Sequence, residues 1–223
     1  NGLNLKLSLD DEFKTIKENF TKKIGSQYAA SRGEYLNGII MANYLKYEFI
    51  DSAEVIMFDD NGEFLPDITN EKLRARLKNV KAAVIPGFYG ATKDGVVKTF
   101  SRGGSDITGS IVARAVHASC YENWTDVSGF LVADPRIIDN PETIKIITYR
   151  ELRELSYMGA SVLHEDAVFP VRQAGIPINI RNTNAPDDEG TMIVESTCHH
   201  SAYTITGIAG KKGFVAVNID KDM

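Results

Sequence analysis

Residues 81–87, Lys-Ala-Ala-Val-Ile-Pro-Gly, are apolar at consecutive positions instead of alternating. A strand written this way is covered on both faces, the pattern of a buried parallel strand with helices on each side. Neighbouring segments supply the helices. Ser8-Leu9-Asp10-Asp11-Glu12 offers an N-cap candidate and first-turn acids, followed by Phe13, Ile16, Lys17 and Phe20 at helical spacing until Gly25-Ser26. Leu36, Ile39, Ile40 and Leu45 predict a second helix over 33–46. Residues 53–58, Ala-Glu-Val-Ile-Met-Phe, predict a strand stopped by Asp59-Asp60-Asn61-Gly62. Thr69 or Asn70 is the expected cap of a third helix reaching about residue 79.

The Lys93-Asp94-Gly95 turn is expected to join two short antiparallel strands. Helices are predicted over 107–118, 148–158 and 165–174, and strands over 121–127 and 176–181, with Gly175 as a breaker. Strands alternating with helices specify an α/β sheet with helices on both faces. After about residue 195 the character changes. Residues 199–201 read as linker, and 203–209 with 214–219 as a β-hairpin around Gly210-Lys211-Lys212-Gly213.

A length of 223 residues corresponds to about one and a half domains at ~150 residues each. With 43% apolar and 25% charged residues the composition is that of a globular chain, which excludes disorder over most of it. The net charge of −5 speaks against non-specific nucleic-acid binding. The longest apolar runs, such as 82–86, fall far short of the ~20 residues of a membrane span. Two cysteines, Cys120 and Cys198, are too few for a disulfide or metal framework and favour a reducing cytoplasm. The chain opens at Asn1 without a signal-peptide pattern and closes on Met223 just after an apparent strand, so a fragment is expected.

Three segments carry candidate chemistry. Ser101-Arg102-Gly103-Gly104-Ser105-Asp106 precedes a helix. Glycines let a ligand approach the backbone, helix-start N–H groups favour an anion, and Arg102 adds a fork for carboxylate or phosphate. A polar turn with Ser105 or Asp106 capping the helix is the competing reading. Trp124-Thr125-Asp126-Val127-Ser128-Gly129, followed by Asp134-Pro135-Arg136, sits where open α/β sheets bind ligands, or is a plain strand end with an Asp-Pro turn. In Ser31-Arg32-Gly33-Glu34, Glu34 either accepts from an ammonium group or complements the dipole of a first helical turn. His117 and His164 read as structural.

These segments, with Gly87-Phe88 and Gly159-Ala160-Ser161-Val162-Leu163-His164, stand in an order and at spacings that resemble the aspartate kinases of the amino-acid kinase family. The likeness runs from about residue 25 to 195. It implies a three-layer αβα sandwich with a mainly parallel sheet, residues 1–197 forming the catalytic domain and 198–223 the linker and first hairpin of an ACT-like regulatory domain. It also implies transfer of the ATP γ-phosphoryl group to the β-carboxylate of L-aspartate, the first step towards lysine, threonine and methionine.

By resemblance, Glu34 holds the substrate amino group and Arg102 a substrate carboxylate, with Phe88, Gly103, Gly104 and Ser105 lining that pocket. Asp106 organises the phosphoryl-transfer site. Thr125, Asp126, Leu131, Arg136 and Ser161 fall at nucleotide positions, and Mg²⁺ arrives with ATP, without a protein metal site. The family's opening Lys-Phe-Gly-Gly strand is not among these residues, most members carry lysine where Ser161 stands, and Leu131 replaces a residue that is often aromatic. The resemblance further implies a homo-oligomer and an amino-acid effector of the full-length protein. Another amino-acid or carbamate kinase, or a non-catalytic ligand-sensing module, are the alternative readings.

Overall fold

The computed structural model describes residues 5–157, 165–196, 205–210 and 213. They fall into two compact units. The first holds the chain up to Tyr121 and a later segment ending at Ile176; the second starts at Glu122 and resumes at Pro177. Ser161 and the rest of its motif, the linker at 198–201 and the run 214–219 lie outside the described residues.

In the first unit, helix α1 (Asp10–Thr21) forms where the acid-rich start predicts it. Helix α2 runs Ser26–Leu45 and so begins seven residues before the predicted position, directly after Gly25. The apolar stripe conceals this start because the first turns bury Ser31 and Arg32 instead of aliphatic residues. The Ser31–Glu34 motif is therefore well inside the helix, and Glu34 does not sit in its first turn.

Strand β1 (Glu48–Phe49) pairs in parallel with β2 (Ala83–Val84). Both β2 residues are half-buried, less covered than their apolar run predicts; β1 is their only strand neighbour among the described residues. The predicted strand over 53–58 is corrected. Asp51 accepts from the Ala53 N–H at 3.0 Å and caps a short helix, α3 (Ser52–Val55). Only the end of that segment is extended, where Met57 bridges Ala91 and Phe58 bridges Phe64.

Helix α4 (Pro66–Leu77) starts on a proline in its first turn, a helix-start signal that outranks the predicted Thr69 or Asn70 cap. Thr69 is instead buried, and its hydroxyl accepts from the Met57 N–H at 2.9 Å. Strands β3 (Tyr89–Ala91) and β4 (Val97–Thr99) are antiparallel about the predicted turn. Helix α5 (Gly104–Ala115) starts three residues early, and helix α7 (Glu165–Gln173) returns to pack on it. Ile50, Ile56, Leu73, Tyr89 and Val171 are fully buried and form the heart of this unit.

The sheet of the second unit runs β5 (Tyr121–Thr125), β7 (Ile178–Asn182), β8 (Thr191–Val194), β6 (Ile146–Thr148), with helix α6 (Tyr149–Tyr157) after β6. Ile147, Ile193 and Ile178 are fully buried and in register across β6, β8 and β7, and the equally buried Ile180, two residues along β7, pairs with Thr191. Strand β5 stops two residues before the predicted end, where the Val127 N–H turns back to the Thr125 hydroxyl at 3.2 Å. Strands β6 and β8 were not predicted, being three and four residues long, too short to display a period.

The α/β class is borne out, with mixed sheets: β1–β2 and β6–β8 are parallel, β3–β4 and β7–β8 antiparallel. The predicted strand at 203–209 is not formed over its described part. Residues 205–210 make a single backbone bond to Val132 (Ile208 N–H to O, 2.7 Å) and no ladder. No described helix is long and apolar enough to cross a membrane.

Candidate active site: a glycine loop and a strand-end loop

Gly103 adopts a left-handed conformation (φ 54°) as the N-cap of α5, and Gly104 opens the helix. Neither Ser105 nor Asp106 caps it, so the competing reading of the loop as a side-chain-capped turn is corrected. The glycines answer a close approach. A Cβ on Gly104 would lie 2.6 Å from Phe88 Cβ, and one on Gly87 would lie 2.9 Å from Ser105 Cα. Gly87-Phe88 and Gly104-Ser105 thus press together backbone against backbone, closer than any side chain permits. Phe88 itself has φ 62°, and its N–H donates to the Thr108 hydroxyl at 3.1 Å.

The structure therefore brings Phe88, Gly103, Gly104 and Ser105 together at one helix N-terminus, where free N–H groups and the helix dipole attract an anion. Arg102 stands exposed beside them with no partner among the described residues. Asp106 is half-buried in the first turn of α5, and its backbone carbonyl accepts from the Tyr121 hydroxyl at 3.1 Å. Glu34 is half-buried on α2 and makes no hydrogen bond or ion pair that ties it to the loop.

The second candidate segment lies in the other unit. The Thr125 carbonyl ends β5 and accepts twice from Thr183, from its N–H and its hydroxyl, both at 2.8 Å. The Thr125 hydroxyl faces Asp126 at 3.4 Å, and Asp126 is exposed. Leu131 bridges Thr143 and is 37% exposed. Arg136 is not poised open: Nε and Nη2 clasp the Asp134 carboxylate at 2.6–3.1 Å, and its N–H joins them at 2.8 Å.

That clasp holds the Asp134 carboxyl down to about 2, from an ordinary 3.8. A depressed folded-state value means that the pairing is present above the ordinary range and is lost as pH falls from about 4 through 2. Carbon-detected titration should place the Asp134 midpoint near 2, and Arg136→Ala should return it to the ordinary range; an unmoved midpoint would reject the clasp.

Sequence reasoning misses Thr191. Its buried hydroxyl accepts from the Phe130 N–H at 2.8 Å and donates to the Ile144 carbonyl at 2.6 Å, fixing the loop that carries Leu131. A cavity of about 620 Å³ in the first unit, lined by Phe64, Phe100, Ser101, Ile107 and Phe169 among others, contains none of the predicted site residues. It stops at Ser101, one residue short of Arg102. His117, expected to be structural, shares a 3.0 Å hydrogen bond with Arg74.

The model of the amino acid kinase family matches residues 2–182. The chain belongs to the amino acid kinase family. Within it the chain is 40% identical over 198 residues to aspartokinase 3 of Bacillus subtilis, covering 85% of this chain and 43% of that one. Among solved structures, it superposes on the aspartate kinase of Clostridium acetobutylicum with a TM-score of 0.87 at 57% identity, over 93% of this chain and 48% of that one. Aspartokinase III of E. coli follows at a TM-score of 0.74 and 27% identity, over 86% and 48%. The chain spans less than half the length of each of these relatives. The amino acid kinase fold expected from the motifs is thereby established.

Proposed function

We propose that the intact protein is an aspartate kinase that moves the ATP γ-phosphoryl group onto the β-carboxylate of L-aspartate, giving 4-phospho-L-aspartate. The observation that carries this reading is the glycine-to-backbone contact of Gly104 with Phe88 at the α5 N-terminus, directly after Arg102, which has no partner among the described residues. The relatives support it: they are aspartokinases, and the E. coli enzyme has been solved with aspartate and ADP.

In this reading Arg102 grips a substrate carboxylate in a bidentate fork. The N–H groups of Gly103, Gly104 and Ser105 add directed dipoles, Phe88 walls the pocket, and Glu34 accepts from the substrate ammonium. Ammonium acceptor and carboxylate fork together select an α-amino acid. Phosphoryl transfer asks for positioning and charge neutralisation more than for covalent chemistry. Asp106 in the first turn of α5 organises that centre.

Thr125, Asp126, Leu131, Arg136 and Ser161 form the nucleotide side, and Mg²⁺ comes in on the ATP phosphates. The Thr125 hydroxyl and exposed Asp126 at a strand's carboxyl end suit a nucleotide, whereas Arg136 must leave Asp134 to reach a phosphate. Residues 1–197 make up the catalytic domain, and 198–223 begin an ACT-like regulatory domain. That the E. coli relative has also been solved with lysine supports an amino-acid effector of the intact protein. A homo-oligomeric, cytoplasmic enzyme with no role at nucleic acid or membrane completes the proposal.

The test is ATP-dependent acyl phosphate formation by the intact protein, trapped as hydroxamate, with aspartate, glutamate, N-acetylglutamate and carbamate offered in parallel. Aspartyl hydroxamate should dominate. Equal use of the four, or preference for another, sinks the assignment.

A further inference from the structure

Tyr28, Arg32 and Tyr35 share one face of α2 at the i, i+4, i+7 spacing. Arg32 is 8% exposed, yet it takes part in no ion pair among the described residues. Its guanidinium lies 4.5 Å from the ring centre of Tyr28, 4.5 Å from Tyr35 and 5.4 Å from Tyr89. Its Nε and Nη2 both donate to Ser31 Oγ, at 3.1 and 2.9 Å. A buried cation with no carboxylate is costly, and three aromatic faces offset that cost. An apolar side chain would fill the same space without it, so the charge needs a reason beyond packing.

The reason lies in what Tyr89 touches. Tyr89 is fully buried and donates its hydroxyl to Asp51 at 2.7 Å; the same Asp51 oxygen caps α3. The Tyr89 ring also meets the Phe88 ring in a T-shaped contact, with centres 5.9 Å apart at 71°. Phe88 holds φ 62°, a left-handed conformation that costs an L-residue ~1–2 kcal/mol and persists only where its surroundings enforce it. Thr108 and Phe100 hold the Phe88 backbone through its N–H and carbonyl. The Phe88 ring is held by Tyr89, and the Tyr89 ring by Arg32.

We propose that Arg32 is a positioning residue for the amino-acid pocket: its cation fixes the Tyr89 ring, which fixes the Phe88 ring that walls the substrate. This rests on the aspartate-kinase reading above. Glu34, the ammonium acceptor of that reading, stands two residues away on the same helix, so α2 carries both a substrate contact and the brace of Phe88.

The test is steady-state kinetics of the intact protein with Arg32→Met, Arg32→Lys, Phe88→Ala and the Arg32→Met/Phe88→Ala double variant, each checked for folding by circular dichroism. Arg32→Met should raise KM for aspartate about tenfold while KM for ATP and kcat stay within about twofold. Arg32→Lys, which keeps a cation over the rings, should recover most of that loss. In the Phe88→Ala background Arg32→Met should change KM for aspartate no further, because the group it positions is gone.

A purely structural arginine would move both KM values together and give additive effects; either result overturns the proposal. Should Arg32→Met not fold, Arg32→Lys decides in the same cycle: an aspartate KM shifted about threefold with Phe88 present and unshifted without it. A wild-type protein without aspartate-dependent activity removes the functional reading and this role with it. An active one whose Arg32 variants keep the normal aspartate KM removes this role alone.

Discussion

Replacing Arg102 by alanine in the intact protein should lower kcat/KM for aspartate by about 10²–10³-fold, with KM for ATP nearly unchanged. Truncating one side of a desolvated, hydrogen-bonded charge pair costs about 2–5 kcal/mol, and every ~1.4 kcal/mol is tenfold. The fold should not register the change. Arg102 is exposed and has no partner among the described residues, so its removal breaks no hydrogen bond or ion pair among them. Surface substitutions of this kind stay within about 0.5 kcal/mol. Arg102→Lys should recover only part of the loss, because a point charge cannot grip a carboxylate with two parallel bonds. A near-normal kcat/KM for Arg102→Ala would remove Arg102 from the site.

The second large effect is expected at Gly104, where activity and stability fall together. A methyl group there meets Phe88 Cβ at 2.6 Å and Phe88 Cα at 2.8 Å, so backbone must move to admit it. Forced overpacking costs about 1–3 kcal/mol, which for a chain of this size is a melting-temperature loss of about 2–12 °C. The motion falls on the Phe88 wall and on the first turn of α5. Displacements near 1 Å at such a site cost about 10²-fold in rate. Gly33→Ala is the matched control. It lies inside α2, its added methyl meets nothing within 4 Å, and helix propensity favours it by up to ~1 kcal/mol. Gly33→Ala should melt at or above the wild-type temperature. Equal behaviour of the two alanine variants would show that the Gly104 contact does not matter.

Much of the architecture follows from local signals that act over a few residues. Gly25, Gly175 and the Lys93-Asp94-Gly95 turn end or join elements where their backbone preferences say they must. The errors occur where a distant partner decides. Residues 53–58 are apolar enough for a strand, but the Asp51 carboxylate, held by the Tyr89 hydroxyl 38 residues along the chain, captures the Ala53 N–H and winds the segment into a helical turn. The first turns of α2 escape the hydrophobic pattern because their core-facing residue is Arg32, whose burial depends on Tyr89, far along the chain.

At the site, the glycine loop is legible because it stands in order with the other motifs, whereas the reason for Gly104 is legible only in space. Arg136 could be read as a ligand, but not as one already clasped by Asp134. Thr191 carries no motif at all. Its importance comes from two backbone groups, at Phe130 and Ile144, that no spacing rule connects to it.

The return of α7 to α5 bears on how the protein assembles as it is made. The Val171 N–H bonds Ser110 Oγ across 61 residues, and Ala167 and Val171 are fully buried. A ribosome that has released residues up to Tyr121 has delivered every strand and all but one helix of the first unit, yet Ile111 and Ala115 still lack the helix packed beside them. Closing the first unit waits for some fifty more residues, which carry two strands of the other unit with them. Contacts so distant in sequence slow folding and prolong the exposure of apolar surface. The chain should therefore complete the two units together, in one concerted step late in synthesis, instead of one after the other from the N-terminus.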